Sequence, residues 1–167
     1  MLFNRKIILL MSLAAFFAAT AQESEIPVAL KPPQRETLAL RAHGDGDQIY
    51  ACEGSQWMLR GPDARLTDDA GGTVGSHFFG PSWKWMDGSK ITATPVAQAT
   101  PDPQSIPWLL LRVTAHEGEG ALKNITSVQR IRTQGGKAPS EPCAAAREKA
   151  TVRSHYRADY LFYAVRQ

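Results

Sequence analysis

The stretch "HFFGPSWKWMDGS", His77–Ser89, decides how this chain folds. Gly80-Pro81 and Asp87-Gly88 are turn signals, and between them the residues alternate. Trp83 and Trp85 fall on one face, while Ser82, Lys84 and Met86 fall on the other, a period of two that belongs to a half-buried strand. Asp87-Gly88 predicts a hairpin closed by a type I′ turn, because glycine takes positive φ at little cost. Burying two indoles is worth several kcal/mol of apolar transfer, which assigns the tryptophan face to the core. Because His77 and Asp87 sit in the same stretch, a ligand site built on it is the competing reading.

The same alternation of short apolar segments and turn chemistry runs along most of the chain. Candidate strands are Thr37–Ala42, Gln48–Cys52, Gln56–Arg60, Ala64–Thr67, Thr73–Phe79, Ser82–Met86, Lys90–Gln98, Trp108–His116, Thr126–Thr133 and His155–Val165. His43-Gly44-Asp45-Gly46, Gly61-Pro62-Asp63, Ala70-Gly71-Gly72, Glu117-Gly118-Glu119-Gly120 and Gln134-Gly135-Gly136 read as the turns that separate them. Ile125, Val128 and Ile131 recur every third residue, but the flanking Thr126 and Thr133 favour a strand. Cys143–Lys149, "CAAAREK", is rich in helix formers and predicts one short helix near the second cysteine. The expected fold is therefore all-β: a single antiparallel sandwich or partly closed barrel of about eight to ten short strands.

The N-terminal segment has a different character. Arg5 and Lys6 precede an apolar run from Ile7 to Ala19, and Ala19-Thr20-Ala21 supplies small residues at a cleavage site. Residues 1–21 thus read as a secretory signal peptide cut after Ala21, which makes the protein periplasmic or secreted. The run is too short for a comfortable membrane span, so no transmembrane segment is expected after cleavage. No cysteine follows the cut to carry a lipid anchor. Losing Arg5 and Lys6 takes the formal charge from +3 to near neutrality, and the remaining Lys and Arg are scattered. Nucleic acid is therefore not an expected partner. Residues 22–36, with Pro27, Pro32 and Pro33, read as an extended arm before one domain over 37–167. Cys52 and Cys143, an even pair bound for an oxidising compartment, predict a disulfide.

Several segments together carry a family resemblance. They are Tyr50-Ala51-Cys52, Trp57, Pro62-Asp63-Ala64-Arg65-Leu66, Gly75–Trp83, Asp87-Gly88-Ser89, Ile106–Leu110, Gln129–Pro139, Cys143 and Tyr156–Tyr163. In these the chain resembles the DUF3455 family of uncharacterised secreted proteins from bacteria and fungi. Ser82 stands where the family more often has threonine, and Lys84 where an acid is common. The resemblance implies export and paired cysteines and supplies no activity. A malate dehydrogenase label on some fungal relatives finds no support, because no glycine fingerprint in a βαβ setting is present.

The candidate chemistry is correspondingly sparse. His43, His77, His116 and His155 lack the close spacings of common zinc sites; if folding builds one, His77, His116, Asp87 and Asp159 are the first ligands to suspect. No metal or other cofactor is expected. "GSHFFG" and "DGSK" lack a nucleophile elbow, whereas paired carboxylates drawn from Asp63, Asp68, Asp87 and Asp159 remain open. Arg130 is expected to meet Asp87 or Asp159 across the sheet as a structural pair, with an anion site as the alternative. The rings of Trp57, Trp83, Trp85, Trp108, Tyr156, Tyr160 and Tyr163 either fill the core or present a stacking platform, Trp108 at a pocket rim. The candidate site or polar network is accordingly His77, Trp83, Asp87, Trp108, Arg130, Tyr156 and Asp159. The leading expectation is a non-enzymatic module binding a small molecule, a glycan or an envelope protein. The alternative is a hydrolase of an envelope or extracellular polymer using His77, Asp87 or Asp159.

Overall fold

A computed structural model describes residues 25–144 and 149–166. Eight strands form one antiparallel sheet: β1 (Glu36–Glu53), β2 (Gln56–Thr67), β3 (Thr73–Phe78), β4 (Ser82–Trp85), β5 (Lys90–Ala99), β6 (Trp108–Glu117), β7 (Ile125–Gly135) and β8 (Thr151–Val165). Each pairs with its neighbour in sequence, and β8 pairs back onto β1 from Glu36↔Val165 to Ala51↔Thr151. The sheet thereby closes into a barrel and leaves no long unpaired edge.

Ten predicted strands become eight because two glycine-bearing segments are strand and not turn. In His43-Gly44-Asp45-Gly46-Asp47 the glycines face inward and the polar residues outward, and all five pair with β8. A Cβ on Gly46 would stand 2.3 Å from the Asp63 carbonyl oxygen and 2.4 Å from Ala64 Cα. One on Gly44 would stand 2.6 Å from the Tyr160 ring. Glycine is present here for close approach. Gly61-Pro62-Asp63 marks a bulge: Ile49 pairs with Gly61 and Tyr50 with Leu59, so Arg60 is skipped, and Gly61 takes φ of 132°. Gly46→Ala is expected to lower the unfolding free energy by about 2 kcal/mol, read from the urea midpoint. An unchanged midpoint would mean that β1 and β2 are not packed this closely.

Asp87-Gly88 does make a hairpin, but not of type I′. Gly88 N–H donates to the Trp85 carbonyl at 3.1 Å and Trp85 N–H to the Ser89 carbonyl at 2.9 Å. Only Gly88 has positive φ, 89°. This is the three-residue loop that ends in a left-handed residue, which also suits right-handed strand twist.

The closed sheet sorts side chains into two clusters. Inward-facing Leu66, Trp83, Ile91, Leu111, Val128, Tyr156, Tyr160 and Phe162 fill the barrel. Small inward residues on its walls, Ala42, Ala64, Ala93 and Ala158, make room for those rings. The second cluster lies on the opposite side of the wall, where Trp108, Leu110, Ile131 and Leu161 pack under Leu30 and Ile26. The N-terminal arm is therefore not simply extended: it makes a single 3-10 turn at Val28–Leu30 and buries Leu30. Gln129 Nε2 donates to the Leu30 carbonyl at 2.7 Å and fixes it there.

Cys52 and Cys143 form a disulfide, with Cα atoms 5.9 Å apart. The helix expected over Cys143–Lys149 centres on residues 145–148, which lie outside the described residues, as does the expected signal peptide. The only helical element among the described residues is the turn at Val28–Leu30.

Candidate functional site

The site begins with the parity of β3, β4, β7 and β8. Cross-strand partners share a face, and Arg130 lies opposite Tyr160 while its neighbour Ile131 lies opposite Asp159. Arg130 and Tyr160 therefore point into the barrel, whereas Ile131 and Asp159 point away from it. A cavity of about 440 Å³ opens at the end of the barrel that carries the β3–β4 turn. Leu59, Phe79, Pro81, Pro95, Leu109 and Leu111 supply its apolar wall. Leu59 and Phe79 leave 56% and 71% of their surface exposed at the rim. Gln48, Arg60, His77, Trp83, Arg130 and Tyr160 supply its polar side chains, with Arg60 paired to Glu53.

The barrel wall holds those polar groups, and the Arg130 charge couples them to one another. His77 is buried between β2 and β4, stacked on Trp83 with ring centroids 4.4 Å apart, and meets the Tyr160 ring edge-on at 5.0 Å. Its Nδ1 lies 2.9 Å from the Ser82 carbonyl, which can only accept, so the proton sits on Nδ1. Burial, with a smaller contribution from Arg130, pushes its pKa down to about 3. The imidazole is neutral at physiological pH. Tyr160 and Tyr156 share a hydroxyl contact at 3.0 Å, and burial raises both phenols above their ordinary range.

Arg130 donates through Nε and Nη2 to the Pro107 carbonyl, at 3.2 and 2.8 Å. Among the described residues no carboxylate lies within ion-pairing distance of it. Its positive charge acts on Tyr50, His77, Tyr156 and Tyr160. Two buried nitrogens also lack an acceptor among the described residues: Trp83 Nε1 and Gln48 Nε2. These two residues are 0% and 2% exposed, and both line the cavity. Buried donors without partners are uncommon because desolvation costs about 1–3 kcal/mol each.

The expected pair of Arg130 with Asp87 or Asp159 does not form: strand parity turns Asp159 away, and Asp87 sits in the β4–β5 turn, occupied by backbone amides. Asp159 lies on the other face, where His43 Nδ1 meets one oxygen at 2.7 Å and Arg132 Nε donates to the other at 2.6 Å. Asp87 ties two turns together by accepting Ser89 N–H at 2.9 Å and Ala121 N–H at 2.7 Å. The Ser89 hydroxyl and those amides hold its carboxyl below the usual range. Trp108 is not at a pocket rim but under the N-terminal arm. Of the seven candidates, His77, Trp83 and Arg130 line the cavity and Tyr156 touches it through Tyr160. The residue that sequence reasoning missed is Gln48. Its only signal is a polar side chain on the inward phase of β1, visible once Gly44 and Gly46 are known to point inward.

The suspected metal ligands also stay apart. His77 is inside the barrel, while His116 Nε2 lies 2.7 Å from the Ile125 carbonyl. Among the described residues no group of three or more His, Cys, Asp or Glu side chains could hold a metal ion. Nor do the four aspartates form a working pair. Asp68 caps its own turn through Ala70 and Gly72 N–H, and Asp63 pairs with Arg153 at 2.6 Å.

With this geometry in view, comparison with known families is informative. A family model described as a protein of unknown function, DUF3455, matches residues 32–164. The chain belongs to the DUF3455 family. The match spans all eight strands almost completely, so the DUF3455 region includes the residue positions of the cavity, the disulfide and the later part of the arm. No curated protein and no solved structure matches the chain.

Proposed function

We propose that this DUF3455 protein is a non-catalytic binding module that takes a small, largely apolar ligand into the open end of its barrel. The carrying observation is the cavity of about 440 Å³, whose volume suits a drug-sized molecule and whose wall is mostly apolar with a few converging polar groups. An apolar wall favours such a ligand over a glycan, which needs hydrogen-bonding partners along its length. The exposed rim residues Leu59 and Phe79 support entry of an apolar body.

Support for the hydrolase alternative is weaker. A histidine–carboxylate pair exists at His43 and Asp159, beside a second cavity, but the other imidazole nitrogen already meets Asp69 at 2.8 Å. With both nitrogens engaged by carboxylates, this histidine has no free lone pair with which to take a proton. His77, neutral and buried against Trp83, is better placed to shape a cavity than to shuttle protons.

Function outside the cytoplasm is part of the same reading. It rests on the signal-like pattern of residues 1–21 and on a disulfide, a bond that persists mainly in oxidising compartments. Among the described residues no helix is long and apolar enough to cross a membrane.

N-phenyl-1-naphthylamine, a neutral apolar fluorophore, is expected to bind with saturable, one-to-one enhancement. Leu109→Trp, which fills the cavity from its wall, is expected to weaken that binding at least tenfold while leaving the circular dichroism spectrum unchanged. Enhancement that never saturates, or that ignores Leu109→Trp in a folded variant, would contradict the proposal.

A further inference from the structure

We propose that the ligand of this cavity carries an anionic head, a carboxylate on an apolar body, and that Arg130 holds it with the Trp83 indole and the Gln48 amide. This inference rests on the cavity being a ligand site and names what the site selects. Three observations converge on it. The first is a guanidinium facing the interior of a largely apolar barrel with no carboxylate partner among the described residues. Charges in such surroundings are ordinarily paired, because an unpaired one forfeits hydration without compensation. The carbonyl of Pro107 takes two of the five guanidinium N–H bonds and neutralises none of the charge.

The second observation is the pair of orphaned nitrogens. Trp83 Nε1 is a donor in any assignment, because an indole has no acceptor, and it is buried without a partner. The Gln48 amide nitrogen is likewise buried without a partner, and both residues line the same cavity. Donors left empty by the protein are what a ligand oxygen would fill. The third observation is the absence of a competing acid. Asp63, the acid next in sequence to the lining residue Pro62, is paired with Arg153 on the outer face, and Glu53 is paired with Arg60. The other ionisable groups lining the cavity are Arg60, paired with Glu53, His77, neutral, and Tyr160, protonated.

A guanidinium and two neutral donors around one space match an oxygen acid better than a neutral alcohol or amide. The charge-assisted bond is roughly twice as strong as a neutral one, and a carboxylate offers two oxygens to share among the donors. The apolar wall then requires that the rest of the molecule be hydrocarbon or aromatic. A phosphate ester or nucleotide fits less well, because its additional charge would face Leu109, Leu111 and Pro95.

The test compares two probes with the same twelve-carbon body, dodecanoate and dodecanol, below the concentration at which dodecanoate forms micelles. Binding to the intact, oxidised protein is followed by isothermal titration at pH 8. The wild type should bind dodecanoate at least tenfold more tightly than dodecanol. Arg130→Gln should remove that preference while dodecanol binding persists, and Arg130→Lys should retain part of it. Equal affinities for the two probes in the wild type would overturn the anionic head and leave the cavity proposal standing. Binding of neither probe would overturn both. The wild-type comparison decides the matter even if Arg130→Gln fails to fold. A preference that survives in a folded Arg130→Gln variant would overturn the role of Arg130.

Discussion

Replacing both Cys52 and Cys143 with alanine is expected to lower the unfolding free energy by about 4.5 kcal/mol. The two residues are 91 positions apart, so their bond removes a large amount of loop freedom from the unfolded chain. In the folded protein the bridge secures the segment after β7 to the end of β1, where Cys52 N–H donates to the Ala150 carbonyl at 2.8 Å. Lys149 N–H donates back to the Cys52 carbonyl at 2.9 Å, and Trp57 Nε1 holds the Glu141 carbonyl at 3.1 Å. These bonds keep the segment in place once the barrel is formed, so the loss should come mainly from the unfolded side. Urea unfolding of the oxidised wild type and the double variant would measure it as a shift in midpoint with little change in spectrum. An unchanged midpoint would show that the link contributes nothing to stability.

Acidification is expected to cost the fold about 3 kcal/mol between pH 7.5 and pH 4 through His77 alone. The folded-state pKa of about 3 lies below the unfolded value of 6.5, so between those two values the unfolded chain binds a proton that the folded one does not. The contribution of neutral His77 is therefore complete above pH 6.5 and is lost as pH falls towards 3. His43 runs the other way. Hydrogen bonds that its ring donates to Asp159 and then Asp69 raise its pKa above 6.5, so its contribution is present below that value and fades as pH rises. With 41% of its side chain exposed, solvent screening holds that contribution under about 1 kcal/mol. Urea midpoints across the range, for the wild type and for His43→Gln, separate the two effects. The decisive reading is the imidazole proton resonance of His77 by nuclear magnetic resonance. It should stay fixed between pH 8 and pH 4.5, and a midpoint near 6.5 would refute the account.

The core and the link were legible for plain physical reasons. Trp83, Tyr156, Tyr160 and Phe162 are fully buried, as large rings on an alternating strand should be. Asp68 and Asp87 satisfy turn amides, as short acids beside glycines commonly do. The candidate site was legible only in part. His77, Trp83 and Arg130 meet at the cavity, but Trp108 and Asp159 carry the same chemical signals and lie on the other side of the wall. The β1 glycines misled for a similar reason. A glycine that turns the chain and one that admits a neighbouring strand are the same letter, and only Asp63, Ala64 and Tyr160 at the approach distances tell them apart.

By itself, then, the sequence determined which residues in each strand share a face, that the domain is all-β, and that its two cysteines form a pair. Those properties follow from local alternation and from counting. The tertiary structure decided which face points inward, how β8 closes onto β1, and which polar side chains converge. Each depends on register between segments far apart in the chain: Gln48 comes from β1, His77 and Trp83 from β3 and β4, Arg130 from β7 and Tyr160 from β8. A shift of one residue in any of those pairings turns the side chain to the opposite side of the wall. Arg130, which has no carboxylate partner among the described residues, and the Trp83 and Gln48 side chains line one cavity only because closure turns all of them inward.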